Sequence, residues 1–239
     1  MITRPEFHPE NQLLMALSAS DFSALRPHLN EVSLGLGDVL QAYGERIQYV
    51  HFPLSGMVSL LSVMRDGKAV ETAVVGREGA LGAHCGFGMP HAYSRAVVQI
   101  PGRAMRVAAA QFQKVVRESE RMRDLIIRYR ELRLAQTQQT AACNAVHDAE
   151  ARLSRWLLQT ADVIGSDTVP LTQEFLSQML GVRRTTVTTI ARVLQTAGLI
   201  RYTRGRIEIS DREMLKKFAC ECYEVLRSQP AKILFRQKR

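Results

Sequence analysis

Cysteine is scarce in this sequence, and its spacing is unlike that of a disulfide framework. The 239 residues contain four cysteines, at positions 85, 143, 220 and 222, and no CxxC pair. Small secreted proteins that depend on disulfides carry more cysteines, at regular spacings. We therefore expect free thiols and a cytoplasmic location.

Long apolar runs are also missing. No stretch approaches the roughly 20 apolar residues that a membrane-spanning helix needs. The first residues, MITRPEFHPENQLL, lack the basic-then-apolar order of a secretory signal peptide. The sequence thus predicts neither export nor a membrane partner.

A set of catalytic or metal-binding side chains is not recognisable either. The six histidines stand in unrelated contexts, without a nucleophile or paired carboxylates. His84 and Cys85 are adjacent, so on a strand they would point apart, and no second cluster completes a haem or metal site. Residues 211–228 predict one continuous helix, in which Cys220 and Cys222 would point about 200° apart. We predict no enzyme activity, no metal site and no required cofactor.

Positive charge, by contrast, is in excess. The formal net charge is +9, and residues 148–239 carry sixteen Lys or Arg against ten Asp or Glu. Such a balance favours an anionic partner, either nucleic acid or a membrane surface. The excess is concentrated in the shorter C-terminal part of the chain.

The residue pattern of the N-terminal half predicts the β-sheet portion of an α+β protein. Between about residues 32 and 107, glycines separate short runs rich in β-branched or aromatic residues, such as QYVHF, GMVSLLSV and RAVVQI. Many short strands at near-even spacing are typical of an antiparallel barrel or roll. The RDG motif between two such runs predicts a hairpin turn. We expect a jelly-roll-like β-roll domain over residues 1–118.

Residues 109–145 contain neither glycine nor proline and predict a short helix followed by a long one. The long helix carries a seam at spacings of three and four, as in a coiled coil, which favours pairing with a second copy of the chain. Packing on its own domain would give a similar pattern. We assign residues 119–146 to a dimerisation helix with this interface: Met122, Leu125, Ile126, Tyr129, Leu132, Gln136 and Thr140.

Residues 171–210 carry the clearest pattern in the chain. A first helix ends at Gly181, and a second has an inner face of Val187, Ile190, Leu194 and Ala197. Two helices joined by a short glycine turn, the second polar and basic outside, predict a helix-turn-helix. A β-hairpin rich in arginine follows as a basic wing. We assign residues 147–239 to a DNA-binding domain of winged helix-turn-helix type.

With these features the chain resembles the Crp/Fnr family of bacterial transcription regulators over nearly its whole length. RRTTVTTIARVLQTAGLI is similar to the family's recognition helix, and GDVLQAYGERIQYVHFPLSGMVSLL to the early part of its β-roll. The resemblance implies a sensor domain related to cyclic-nucleotide-binding domains, a dimerisation helix and a winged helix-turn-helix. It also implies a homodimer on double-stranded DNA, with RNA polymerase and a small-molecule effector as partners.

The resemblance extends to the residues that read DNA, with two departures. The family uses an Arg-Glu pair at the start of the recognition helix and an arginine one turn later. This chain keeps the first as Arg184 but carries Thr185 and Thr189 at the other positions. Threonine cannot replace an acidic acceptor for cytosine, so we expect these three residues to read a different operator. The remaining predicted DNA contacts are Arg183, Thr186, Thr188, Arg192, Arg204 and Arg206.

The sensor shows a third departure. A cAMP site needs backbone amides at a helix start, a Glu on the ribose hydroxyl and an Arg on the phosphate. Here Gly82 is followed by Ala83 instead of Glu, next to His84. Ser94 stands at the Arg position, and Arg95 comes one residue late, on the opposite face of a strand. We take these five residues as the candidate ligand pocket and do not expect cAMP as the ligand.

Two alternative functions remain open. A cyclic-nucleotide module could act through protein contacts alone, although the basic wing argues against it. A haem or redox sensor would use His84 and Cys85, and the visible spectrum of the purified protein tests that alternative.

Overall fold

The strands of the N-terminal part form two antiparallel sheets. The computed structural model describes residues 10–203 and 205–234. The strands are β1 (Asn30–Leu34), β2 (Val39–Gln41), β3 (Tyr49–Pro53), β4 (Met57–Val63), β5 (Ala69–Val75), β6 (Arg95–Ile100) and β7 (Gly102–Ala108). One sheet has the order β1-β7-β3 and the other β2-β6-β4-β5. This arrangement confirms the predicted β-roll, including the hairpin between β4 and β5.

Among the described residues, two α-helices precede the β-roll in the sequence and two follow it. They are α1 (Gln12–Met15), α2 (Ala19–Leu25), α3 (Ala109–Glu118) and the long α4 (Glu120–Val146). Ser119 separates α3 from α4 and caps the latter, because its hydroxyl accepts the Met122 N–H at 3.1 Å. The predicted pair of helices is therefore confirmed.

One face of α4 packs on the β-roll of its own chain. It buries Met122, Leu125, Ile126, Tyr129 and Leu132 in one apolar cluster with residues of β3, β7 and α3. The Tyr129 hydroxyl donates to the Ala80 carbonyl at 2.8 Å and accepts the Ala80 N–H at 2.9 Å. The assignment of these five side chains to a dimer interface is thus wrong, because the same chain covers them.

The C-terminal part begins where α4 ends. Its elements are α5 (Ala149–Ile164), β8 (Thr168–Pro170), α6 (Gln173–Leu180), α7 (Arg184–Thr196), β9 (Ile200–Thr203), β10 (Arg206–Ile209), α8 (Arg212–Phe218) and α9 (Cys222–Ile233). The three strands form an antiparallel sheet in the order β8-β10-β9. Asp148 caps the start of α5 with its carboxylate on the Ala151 N–H. Among the described helices, none combines the length and apolarity that crossing a membrane requires.

The predicted continuous helix over residues 211–228 is wrong. α8 ends at Phe218, and the backbone of Ala219 is extended, with φ −75° and ψ 149°. α9 begins only at Cys222 and runs back along α4. No glycine or proline marks this break, so the sequence pattern gave no sign of it.

The DNA-binding part and the β-roll share one apolar cluster. Met57 and Val74 of the β-roll belong to the same cluster as Leu158 of α5 and Met179 of α6. The indole N–H of Trp156 in α5 donates to a buried Glu71 carboxylate of β5 at 2.8 Å. The two parts therefore meet through both apolar and polar contacts.

Candidate nucleic-acid interface and effector cleft

The turn between α6 and α7 has the geometry of a helix-turn-helix. Thr172 caps α6, because its hydroxyl accepts the Phe175 N–H at 3.2 Å. Gly181 ends α6 with φ +64°, in the left-handed region that favours glycine. α7 starts three residues later, at Arg184. The predicted glycine turn between the two helices is confirmed.

The inner face of α7 anchors it in the domain. Val187, Ile190, Ala191 and Leu194 are buried. Ala197 is exposed, although the spacing predicted it on the inner face. α7 ends at Thr196, and Ala197 is its C-cap residue.

The outer face of α7 carries arginines that are free to bind anions. Arg183, Arg184 and Arg192 are exposed. Within the described residues, no carboxylate forms an ion pair with any of these three side chains. Arg183 is the N-cap residue, and its side chain does not cap the helix. The first amides of α7 thus face solvent beside positive charge, which is the arrangement that binds phosphate at a helix start.

The threonines of this face use their hydroxyl protons inside the helix. Thr188 Oγ1 donates to the Arg184 carbonyl at 3.0 Å, and Thr189 Oγ1 donates to the Thr185 carbonyl at 3.1 Å. Bonds of this kind to the carbonyl four residues earlier are a common use of threonine in helices. Thr185 and Thr189 are exposed, as is Thr186. Thr189 can therefore present its methyl group and hydroxyl lone pairs to a partner.

The wing follows α7 as predicted. β9 and β10 pair antiparallel, with Tyr202 opposite Ile207. Arg201 and Arg206 are exposed on these strands. Arg204, the other predicted DNA contact of the wing, lies outside the described residues. Positive charge therefore extends from the start of α7 onto the hairpin.

A cleft of about 490 Å³ lies between the β-roll and α4. Four of the five predicted pocket residues line it, namely Gly82, Ala83, His84 and Ser94. Ala83 begins a short 3₁₀ helix that runs to Phe87. Arg95 is exposed and is not part of the lining, consistent with its place one residue late on β6. The volume falls in the range of small-molecule sites.

Two arginine side chains that were not predicted from the sequence also line the cleft. Arg130 and Arg133 of α4 line its wall. Arg133 Nη1 donates to the Val74 carbonyl at 2.6 Å, while no partner for its buried Nη2 is present among the described residues. The buried amide nitrogen of Gln41, which also lines the cleft, likewise has no partner there. Arg130 and Arg133 are three residues apart, a spacing that places both on one face of a helix and could have indicated a shared site.

His84 and Cys85 lie in the 3₁₀ helix and not on a strand, and their environments differ. A ring nitrogen of His84 lies 2.9 Å from the His91 carbonyl oxygen, and its ring packs on Tyr93. Burial, as the main cause, lowers the pKa of His84. Cys85 belongs to the apolar core of the β-roll, where burial raises its pKa to about 11. His84 thus lines the cleft, whereas Cys85 packs in the apolar core of the β-roll.

Comparison with protein families assigns both halves of the chain. The family model described as "Cyclic nucleotide-binding domain" matches residues 31–119. The model described as "Crp-like helix-turn-helix domain" matches residues 151–218. A "CRP-like cAMP-activated global transcriptional regulator" of Mycobacterium tuberculosis (strain H37Rv) is 24% identical over 214 residues, which are 87% of this chain and 96% of that protein.

Solved structures share the fold over most of this chain. FixK2 from Bradyrhizobium japonicum has a TM-score of 0.70 at 16% identity, over 80% of this chain and 98% of its own. The c-di-GMP responsive global regulator CLP of Xanthomonas campestris has a TM-score of 0.67 at 14% identity, over 81% of this chain and 100% of its own. The two matched domains, their order and the shared fold lead to one conclusion: the chain belongs to the Crp/Fnr family of transcription regulators.

Proposed function

We propose that the protein is a homodimeric regulator that binds a near-palindromic operator through α7. The observation that carries the proposal is the exposed outer face of α7, with two exposed arginines at its start and a basic wing beside it. Two copies would place their α7 helices in successive major grooves. A dimer bound in this way would also contact RNA polymerase, as in regulators of this class.

The outer face divides into base-reading and backbone-binding positions. Arg184 is the long side chain at the helix start and suits a guanine edge. Thr185 and Thr189 can each place a methyl group against a thymine methyl. The hydroxyl proton of Thr189 is donated within the helix, so this side chain offers DNA its methyl group and hydroxyl lone pairs. The following side chains would position the DNA backbone: Arg183, Thr186, Thr188, Arg192, Arg204 and Arg206.

The dimer would use the side of α4 that its own chain leaves open. Ile127 and Leu134 are 45% and 52% exposed there, although both are large apolar residues. Ala141 continues this stripe at the same spacing of seven and is also exposed. A spacing of seven is the repeat of a two-stranded coiled coil. Gln136 and Thr140 are half-buried on another side and would contribute less than the sequence pattern predicts.

The effector would bind in the cleft between the β-roll and α4. Arg130 and Arg133 supply positive charge there, and Gln41 supplies an amide nitrogen that has no partner among the described residues, so the site suits a small anionic molecule. Ala83 and Ser94 cannot supply the carboxylate and guanidinium of a cAMP site. The relatives named above as cAMP-activated or c-di-GMP responsive show that this fold accommodates nucleotide effectors. We infer an anion other than cAMP for this chain.

Selection of bound sites from random double-stranded DNA tests the central proposal. We expect an enriched near-palindrome with half-sites about 10 base pairs apart. Arg184→Ala should relax the preference at one base pair per half-site, at a cost of about 1–3 kcal/mol. Arg227→Ala, an exposed arginine on α9, is a matched control that should leave the selected site unchanged. Binding without any sequence preference would refute the proposal.

The dimer proposal has a separate test. Light scattering after size exclusion should give twice the chain mass for the wild type and the chain mass for Leu134→Glu. Val63→Glu adds the same charge at an exposed residue of the β-roll and should leave the dimer intact. A dimer that survives Leu134→Glu would show that another surface pairs the chains.

A further inference from the structure

Metal-ligating side chains converge where α4 meets the DNA-binding part. Cys143 lies in the last turn of α4, and His147 follows that helix directly. Cys220 lies between α8 and α9, and Cys222 begins α9. One ligand atom from each of the four lies within 4.8 Å of all the others. We propose that these four residues bind a single Zn²⁺ ion.

The spacing of the ligand atoms is that of a single ion. Zn–S bonds of about 2.3 Å in a tetrahedral site place two sulfurs about 3.8 Å apart. Cys143 Sγ lies 3.5 Å from Cys220 Sγ, and Cys222 Sγ lies 3.7 Å from His147 Nδ1. Iron–sulfur clusters hold their thiolates farther apart, because the ligands bind different iron atoms. Three cysteines and one histidine are a set that structural zinc sites use.

The neighbours of two ligands orient them as a metal site requires. His147 Nε2 lies 3.1 Å from a Glu221 carboxylate oxygen, which leaves Nδ1 directed at the thiols. A carboxylate behind a histidine ligand is the usual outer partner of zinc. Gln139 Nε2 donates to Cys222 Sγ at 3.0 Å, a bond that strengthens when the sulfur is a thiolate.

Charge and protons also balance at this site. Binding would deprotonate the three thiols and release three protons to solvent, so that Zn²⁺ with three thiolates carries one negative charge. The Arg152 guanidinium interacts electrostatically with Cys143 and Cys220 and offsets that charge. Arg152 is itself buried, and it also donates to the Leu180 carbonyl.

Neither apolar packing nor a disulfide accounts for all four residues of the cluster. Among the described residues, Ala151 is the apolar side chain that packs against the cluster of three buried thiols, and this cluster is separate from the large apolar clusters. A Cys143–Cys220 disulfide would require the sulfurs to approach to about 2.05 Å. It would give no role to Cys222 and His147.

This site was not predicted from the sequence, because residues 211–228 were expected to form one continuous helix. Had residues 211–228 been continuous, Cys220 and Cys222 would point apart. The extended backbone at Ala219 lets both thiols face α4. The spacing of four between Cys143 and His147 was the signal that could have paired them, because it places both on one side of a helix.

The ion would join the end of α4, its junction with α5 and the start of α9. α4 packs on the β-roll, and α5 opens the DNA-binding part, so the ion would hold the angle between them. The site thus extends the function beyond DNA and effector binding, and it does not depend on either.

Zinc content of the full-length protein tests the proposal. Protein without an affinity tag, purified without chelators, should contain one zinc per chain by plasma mass spectrometry. Cys143→Ser and Cys222→Ser should abolish this, and Glu221→Gln should weaken zinc binding by about 10- to 100-fold. Cys85→Ala removes a buried thiol elsewhere and should retain the metal. Zinc-free wild type with free thiols or a disulfide would overturn the proposal.

Cobalt gives a readout on the wild type itself, so it does not depend on how a variant folds. Metal-free protein titrated with Co²⁺ without oxygen should develop thiolate-to-cobalt charge-transfer bands and the intense d–d bands of a tetrahedral ion. These bands should saturate at one equivalent and vanish on addition of Zn²⁺. Weak d–d bands without charge transfer would refute thiolate ligation. Strong visible absorption of the protein as purified would indicate iron and overturn the assignment to zinc.

Discussion

Glu71 makes the stability of the protein depend on pH at the contact between the β-roll and the DNA-binding part. Its buried carboxylate accepts the Ser59 hydroxyl at 2.6 Å and the Trp156 indole N–H at 2.8 Å. Burial raises its pKa from 4.5 to about 7, although these two hydrogen bonds and the charges of Arg155 and Arg133 act to lower it. Between pH 4.5 and about 7, Glu71 therefore keeps its proton in the folded protein and loses it in the unfolded chain.

The raised pKa sets both the direction and the size of the effect. The stabilisation is fully present below pH 4.5 and is lost as pH rises towards about 7. At about 1.4 kcal/mol for each pH unit of difference, the loss amounts to about 3 kcal/mol. In Glu71→Gln the amide carbonyl can accept the Trp156 N–H and the amide nitrogen can donate to Ser59, without titrating. This variant should therefore gain about 3 kcal/mol over the wild type between pH 4.5 and 8.

Urea unfolding at several pH values measures this difference. Trp156 is the one tryptophan in the sequence, so its fluorescence reports the contact directly. His51 titrates with the opposite sign, because burial and Arg106 lower its pKa to about 4. The difference between variant and wild type cancels that contribution. Glu31→Gln, an exposed control paired with Arg103, should follow the wild type. Parallel curves for Glu71→Gln and the wild type would refute the reasoning.

Further predictions concern single side chains. Arg183→Ser should weaken binding to all DNA sequences alike and lower the salt slope of log K by about 1, since Arg183 would contact phosphate; gel shifts over a salt series that showed loss at one sequence only would contradict this. Tyr129→Phe should cost about 2 kcal/mol in urea unfolding, because it leaves both backbone groups of Ala80 without their partner. Gly165→Ala should cost about 1 kcal/mol, since φ is +69° there although the space is open; unchanged stability would disprove that source of strain.

Local chemistry made the DNA-binding part predictable. Thr172 and Gly181 mark the start and end of α6 by capping and by backbone preference, which act over a few residues. The run of arginines after Gly181 then predicted which face of α7 would meet DNA. The hairpin between β4 and β5 was predictable for the same reason, because a short turn determines it.

What could not be predicted depends on contacts between distant segments. The seam of α4 has the same spacing whether it packs on its own β-roll or on a second copy, and only the fold shows that Tyr129 meets Ala80. The break at Ala219 brings Cys220 against Cys143, 77 residues away, without any helix-breaking residue. Arg133 lines the cleft between the β-roll and α4 from a helix that the sequence assigns to dimerisation.

The apolar cluster shared by the β-roll and the DNA-binding part has a consequence for amide exchange. Leu158 of α5 and Met179 of α6 pack in one cluster with Met57 and Val74 of the β-roll, so we expect opening of α5 and α6 to be coupled to loss of these contacts. A molecule that stabilises the β-roll should therefore slow hydrogen exchange in α5 and α6 without touching either helix. α5 and α6 would then report occupancy of the cleft between the β-roll and α4.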